Sequence, residues 1–177
     1  RNQNSLAWVG ERSDDLPNLL AVGLTDSKSL NKMVDQLDKD HDFIVIDGTP
    51  SLSEMSTRII LASDLLLIPI LPSGHDIRSM QLFFERYEQA KEFRDNIPAY
   101  FFLNQFSETV KLHQSTIELL KDFGIGMLKT KFRRRIAYAE TSITGQGVYE
   151  YSDPKAKAEV VELTKEVLGI AKKLKFI

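Results

Sequence analysis

The sequence contains no cysteine, which excludes a disulfide framework, a thiolate zinc site and a cysteine nucleophile. Its three histidines, His41, His75 and His113, lie far apart with no ligand spacing, so a histidine-based metal centre is not expected. No apolar run approaches the roughly 20 residues that span a bilayer, and the first residues lack the pattern of a signal peptide. Glycine-rich phosphate loops are missing too. Neither Gly-x-x-x-x-Gly-Lys-Ser/Thr nor Gly-x-Gly-x-x-Gly occurs, and Gly124-Ile125-Gly126 and Gly145-Gln146-Gly147 are too short to cradle phosphates. There is no nucleophile elbow or Ser/His/Asp constellation, and no internal repeat, low-complexity tract or linker. Charge of neither sign dominates: 23 Lys and Arg stand against 25 Asp and Glu, so the net field does not advertise nucleic acid. Together these absences lead us to expect a cytoplasmic protein.

What is present suits a folded domain. The 177 residues are 42% hydrophobic and 27% charged, enough chain and enough apolar surface for one core. Strand and helix signals alternate along it. Leu19–Leu24 is a short apolar run broken by Gly23. Asp26 or Ser27 can cap a helix through Ser29–Leu37, with Leu30, Met33 and Leu37 on one face. Phe43–Asp47 reads as a strand, Ser51 or Ser53 as the start of a helix carrying Met55, Ile59, Ile60 and Leu61, and Leu65–Ile70 as another strand. Pro69 is expected at that strand's carboxyl end, because proline cannot donate to a central ladder. Asp76–Arg94 is a long amphipathic helix. Tyr100–Leu103 is a strand ending at Asn104, and Lys111–Phe123 a helix stopped by Gly124. Met127–Phe132, Ala137–Ile143 and Lys155–Leu174 read as strand, short helix and terminal helix. This alternation predicts an α/β fold: a doubly wound, mostly parallel sheet flanked by helices, in one domain over 1–177.

Three places carry candidate chemistry. The first is Asp42-Phe43-Ile44-Val45-Ile46-Asp47-Gly48-Thr49-Pro50. Four consecutive apolar residues suggest a strand buried on both faces. A carboxylate at its carboxyl end sits where open α/β sheets bind ligands, the layout of a Walker B aspartate beside Mg²⁺. The plainer reading is a buried strand whose last residue caps a turn. The second is Asn104, whose amide offers a donor and an acceptor to the edge of an adenine, or else makes its own turn. Pro72-Ser73-Gly74 would wall the same cleft. The third is the basic run Lys129, Lys131, Arg133, Arg134 and Arg135. In a strand Lys129, Lys131 and Arg133 share a face, which could engage DNA phosphates without reading bases or could serve as a solvated edge.

Read together, these segments resemble the ParA family of partition ATPases, the deviant-Walker group that also contains MinD, with the nearest likeness to its short ParF-like plasmid members. Gln3-Asn4-Ser5-Leu6-Ala7-Trp8 resembles the segment after the family's second strand, although Arg1-Asn2 stands where Asp-Pro is expected. Asp42–Ser53 resembles the Walker B strand and switch loop, Ala62–Ser73 the next strand and loop, and Phe102-Leu103-Asn104 the base-contacting asparagine. Arg135–Tyr138 and Gly145–Glu150 resemble the Arg-x-x-Tyr and Gly-x-x-Val-Phe-Glu elements. The family's Walker A loop, with its phosphate-cradling amides and signature lysine, has no counterpart in these residues. The resemblance therefore implies about 40 further residues at the amino end of the natural protein by the family's spacing. It also implies that these residues alone are neither independently stable nor able to hydrolyse ATP.

The resemblance implies a DNA-segregating ATPase, for plasmid or chromosome, that uses ATP and Mg²⁺. In it Asp47 holds magnesium through water and is the catalytic carboxylate, Asn104 recognises the base, and Thr49 and Pro50 belong to the γ-phosphate switch. Pro72 and Arg135 line the nucleotide site, and Lys129, Lys131, Arg133 and Arg134 contact DNA. Implied partners are a second copy in a nucleotide-dependent homodimer, a ParB-like centromere-binding protein and non-specific DNA at the nucleoid, without membrane. Two alternatives stay open: a MinD-like positioning ATPase using the basic amphipathic Lys155–Ile177 at a membrane, and a non-enzymatic interaction protein without a P-loop.

Overall fold

The computed structural model describes residues 4–48 and 54–177. They form two compact units: one from residues 1–22, 67–77 and 99–177, the other from 23–66 and 78–98.

The first unit is organised by three strands, β1 (Leu66–Ile70), β2 (Ala99–Leu103) and β3 (Gly126–Lys131), in the order β1-β2-β3. β2 and β3 run parallel, and the bonds Leu66 N–H to Pro98 O and Asn104 N–H to Ile70 O, both 2.9 Å, set β1 in the same direction. Because backbone groups alternate along a strand, Leu66, Ile68 and Ile70 face β2 while Leu67 and Pro69 turn theirs to the other edge. Pro69 thus lies inside β1 rather than at its carboxyl end, on the side where a missing N–H breaks no bond to β2. Ile70, Phe101, Leu103 and Leu128 are at most 2% exposed, and each such side chain contributes about 1.5–3 kcal/mol by leaving water.

Helices flank the strands. α5 (Lys111–Lys121) lies between β2 and β3 in the chain and buries Thr116 and Leu120; Gly124, with φ of 64°, ends its last turn as its sequence position suggested. α6 (Ile136–Thr144) receives α1 (Asn4–Gly10), fastened by Trp8 Nε1 donating to Thr141 O at 2.9 Å. α7 (Pro154–Lys173) packs on β3. Asp153 caps it by accepting from Lys155 and Ala156 N–H, and Pro154 opens it at a position where no N–H is needed. Among the described residues no helix is long and apolar enough to cross a membrane.

In the second unit Asp26 caps a short 3₁₀ turn, Ser27–Ser29, leading into α2 (Leu30–Leu37). α3 (Glu54–Ala62) follows, and Arg94 donates to Leu61 O in its last turn and to Ser63 O just beyond it, both at 2.8 Å. α4 (Gly74–Lys91) begins in the first unit and supplies Arg86 and Tyr87 to the second. Tyr87 donates to Ile97 O at 2.5 Å.

Two expected strands do not form. Phe43–Asp47 is irregular, and Val45 is 93% exposed where a doubly buried strand was expected. Leu19–Leu24 is likewise irregular, with Leu20 66% exposed. An apolar run becomes a strand only by pairing with a neighbour, and among the described residues no ladder reaches either run. The expected helix cap at Ser51 or Ser53 lies outside the described residues.

Candidate functional site

The loops leaving the carboxyl ends of β1, β2 and β3 converge on an open cleft of about 680 Å³. Its walls are Leu71–Ser73 after β1, Gln105–Thr109 with His113 after β2, and Arg133–Arg134 after β3. The carboxyl edge of adjacent parallel strands is where open α/β sheets bind ligands, because successive loops diverge there.

Each wall is held by identifiable bonds. After β1, Ser73 Oγ accepts from Asp76 N–H at 3.2 Å and the Asp76 carboxylate accepts from Leu71 N–H at 2.9 Å. This reciprocal pair fixes the buried Pro72 at the mouth of α4. After β2, Asn104 Oδ1 accepts from Gln105 N–H at 3.0 Å, and Gln105 takes a left-handed φ of 52°. Phe106 is 2% exposed and its N–H donates to Phe132 O at 2.8 Å. The ring of His113 then accepts from Ser107 N–H through Nδ1 at 2.8 Å.

The third wall is the basic run, and α7 organises it. Glu166 accepts from Lys129 N–H at 2.7 Å, Thr130 N–H at 2.9 Å and Thr130 Oγ1 at 2.7 Å. Two consecutive strand amides can reach one carboxylate because β3 is irregular here: Phe101 pairs with Met127 but Leu103 with Lys131. Glu159, 6% exposed, accepts from Arg135 at 3.0 and 2.6 Å, from Tyr138 Oη at 2.7 Å and from Arg133 N–H at 3.3 Å. Burial pushes the Glu159 carboxyl up, but these donors outweigh it and hold the group below the usual carboxylate range. Glu166 is likewise raised by burial and lowered further by its amide and hydroxyl donors. Burial and the bond to Glu159 push the Tyr138 hydroxyl up, so it stays a donor. Phe132 stacks on Tyr138 with centroids 5.0 Å apart and meets Phe102 edge-on at 4.6 Å.

The sequence-derived residues distribute unevenly over this site. Pro72 and Arg134 line the cleft together with Arg133. Asn104 and Arg135 each adjoin a lining residue without lining the cleft themselves. The Asn104 carbonyl oxygen closes its own local turn. Asp47 belongs to the other unit, is exposed and follows no strand; Thr49 and Pro50 lie outside the described residues. β3 keeps the alternation that a shared face of Lys129 and Lys131 needs, with Leu128 and Thr130 buried on the opposite side, but the strand ends at Lys131, so Arg133 lies beyond it. Lys129 is exposed, Lys131 Nζ sits 4.3 Å from the centre of the Phe106 ring, and Arg133 pairs with Glu108 at 3.1 Å and with Glu159 at 3.8 Å. Among the described residues no three acidic or histidine side chains cluster as a metal cage. Magnesium rarely uses such a cage, taking one or two carboxylates together with phosphate oxygens and water, so Asp47 as a single carboxylate is chemically compatible with it.

Sequence reading missed Gln105–Thr109, His113 and the two α7 carboxylates. A usable signal existed for the latter. Glu159 and Glu166 are seven residues apart, two turns along one helix face, on a helix whose remaining pattern marks that face as apolar.

A parallel sheet with helices and a cleft at its carboxyl edge defines an α/β domain of the kind whose open sheets bind ligands at that edge. Comparison with known proteins narrows the class. A family model described as an AAA domain matches residues 16–98. Maintenance of carboxysome distribution protein A of Halothiobacillus neapolitanus is 32% identical over 134 residues, 72% of this chain and 61% of that protein. A ParA family protein of Mycoplasma pneumoniae is 23% identical over 154 residues, 81% of this chain and 56% of that protein. Cell division protein PomZ of Myxococcus xanthus is 24% identical over 131 residues, 72% and 41% respectively. The solved structure of Cyanthece apo McdA superposes with a TM-score of 0.68 at 17% identity, covering 80% of this chain and 59% of that one, and so shares the fold. These matches make the chain similar to proteins of the ParA family. It spans between 41% and 61% of the length of these curated relatives.

Proposed function

We propose that this chain supplies the base-binding cleft and the Walker B carboxylate of an ATPase that positions DNA or another large cargo in the cell. The observation that carries the reading is the convergence of three loops, from the carboxyl ends of three adjacent parallel strands, on one open cleft with Pro72 and Arg134 in its walls. The purine of ATP would lie between the Pro72 loop and the Gln105–Thr109 loop, and Asn104 and Arg135 would hold those walls in place. Asp47 would hold Mg²⁺ through water, and the ion when bound neutralises charge on the phosphates. Thr49 and Pro50 would sense the γ-phosphate beside it.

The finer reading is DNA partition: nucleotide closes a homodimer, the closed dimer holds DNA non-specifically, and a ParB-like partner triggers hydrolysis. Support for a positioning role comes from relatives named for carboxysome distribution and for cell division, which also makes the cargo an open choice between DNA and protein assemblies. The test uses the full-length protein and a fluorescent ATP analogue with Mg²⁺. Binding with a dissociation constant between about 1 μM and 1 mM is expected, competed by ATP. Asp47→Ala should lower hydrolysis by about 100-fold or more and leave nucleotide binding measurable. No binding of the analogue, or full hydrolysis by the Asp47 variant, would overturn the reading.

A further inference from the structure

We propose that Glu159, supported by Glu166 two turns further along α7, is a positioning residue that sorts the arginines of the cleft wall, leaving Arg134 to meet an anionic group of the bound ligand. The inference deepens the nucleotide reading and rests on it for the ligand's identity.

The basic run presents five cations within seven residues, Lys129, Lys131, Arg133, Arg134 and Arg135. Left to mutual repulsion and solvent, such a segment has no preferred arrangement. Here each member has a distinct fate. Arg135 is gripped through Nε and Nη2 by one oxygen of Glu159. Arg133 has its backbone N–H on the other oxygen of Glu159 and its guanidinium on Glu108 at 3.1 Å. Tyr138, stacked under Phe132, donates to that same second oxygen. Arg133 and Arg135 are therefore fixed on both sides of Arg134, one by its amide and one by its fork. Arg134 itself lines the cleft, is exposed, and has no ion-pair partner among the described residues.

The geometry gives this arrangement a cause as well as a result. A carboxylate that is 94% buried would be costly if unpaired, so Glu159 draws in the nearest forked donor and the nearest hydroxyl. Both lie on the segment Arg133–Tyr138. Glu166 does the same for Lys129 and Thr130 at the other end of the run. α7 thereby acts as a template with two anchor points; of the two arginines that line the cleft, Arg133 is paired with Glu108 and Arg134 has no ion-pair partner among the described residues. An unpaired arginine held by its neighbours loses little further entropy on meeting a phosphate or a polarised base.

The experiment uses the full-length protein and two readouts. Phenylglyoxal labelling followed by mass spectrometry reports guanidinium access without any ligand: Arg134 should react about tenfold faster than Arg135 in the wild type, a carboxylate-paired fork being shielded. In Glu159→Gln the two rates should converge to within about threefold. The second readout is a double-mutant cycle on binding of the fluorescent ATP analogue. Arg134→Ala should weaken binding about tenfold in the wild-type background and less than about twofold in Glu159→Gln, because the arginine is no longer held there. Equal labelling of Arg134 and Arg135 in the wild type would overturn the proposal, and so would an Arg134→Ala penalty unchanged by Glu159→Gln. If the labelling pattern is as expected but MgATP neither binds nor protects Arg134, the sorting stands and the nucleotide reading falls.

Discussion

Replacing Glu166 by alanine offers a direct measure of how far α7 holds β3. In the wild type its carboxylate accepts three hydrogen bonds, from the amides of Lys129 and Thr130 and from the Thr130 hydroxyl. Lys129 is exposed, so water can replace the lost acceptor at its amide. Thr130 is only 9% exposed, and its two donors would be left without a partner. Each buried donor so orphaned costs about 1–3 kcal/mol, which places the total near 2–6 kcal/mol for the two. For a domain of this size 1 kcal/mol moves the melting temperature by about 2–4 °C, so a fall of at least about 4 °C, and up to about 24 °C, is expected by calorimetry on the full-length protein. The neighbouring exposed Glu162→Ala should cost less than about 0.5 kcal/mol. The effect also has a pH signature. Glu166 is depressed in the folded state, so its contribution is complete above the unfolded value of about 4.3 and fades as pH falls through the lower folded value. The difference between wild type and Glu166→Ala should therefore shrink in acid. Equal melting temperatures for Glu166→Ala and Glu162→Ala at neutral pH would refute the reasoning.

Other outcomes follow from the backbone and the cleft. Gly145 has φ of 67° and a Cβ there would sit 2.4 Å from Arg12 N, whereas Gly124, at φ 64°, has open space around it. Gly124→Ala should cost about 1–2 kcal/mol for left-handed strain alone. Gly145→Ala should cost clearly more, and melting curves of the two variants would show that order. Lys175 occupies a left-handed φ of 61° at the end of α7, where Phe176 N–H reaches Ala171 O at 3.0 Å and Lys175 N–H reaches Lys172 O at 3.1 Å. Lys175→Gly should stabilise by about 1 kcal/mol, seen as slower amide exchange in the last turn of α7. Arg12→Met removes a guanidinium that bonds Glu150, Gly145 O and Pro17 O. Because Arg12 and the Gly147 amide hold Glu150 below the usual range, this variant should lose part of the wild type's acid-induced destabilisation, read from the pH dependence of the melting temperature.

Elements whose partners lie close in sequence pattern were the most legible. β1, β2 and β3 announced themselves by short apolar runs, α5 by its face and the glycine at its end, and α7 by a long regular period. Strand status at Leu19–Leu24 and Phe43–Asp47 was not legible in the same way, since apolar composition specifies a tendency while pairing depends on distant chain. The basic run shows the other limit. Alternation along a strand puts Lys129, Lys131 and Arg133 on one face, and β3 keeps it through Lys131, but the strand ends there and Arg133 lies beyond it, while two extra residues between Met127 and Lys131 interrupt the pairing with β2. The bulge is stable because an acid two turns along α7 accepts its amides. Nothing local to Lys129–Arg135 encodes that. Pro72 and the position of the cleft could be reached from the sequence, because punctuation after a strand marks the carboxyl edge of a sheet; the Gln105–Thr109 wall could not, because its shape depends on a histidine six residues beyond Ser107.

The fate of those five cations bears on how this surface could hold DNA. Arg135 is committed to Glu159, and Arg133 divides between Glu108 and Glu159. Lys131 keeps its charge but lies against the Phe106 ring, and only Lys129 and Arg134 stand clear. If all five neutralised phosphates, the logarithm of affinity would fall with the logarithm of salt at a slope of about −4.5. With two or three available, this segment supplies a slope of only about −2 to −3. A buried carboxylate that pairs an arginine inside the protein is not released to DNA cheaply, since freeing the arginine leaves Glu159 charged and dry. The basic run is therefore better matched to one anionic group in the adjacent cleft than to a long stretch of duplex, and steeply salt-dependent binding by the full protein would have to draw on cations elsewhere, the lysines at the end of α7 among them.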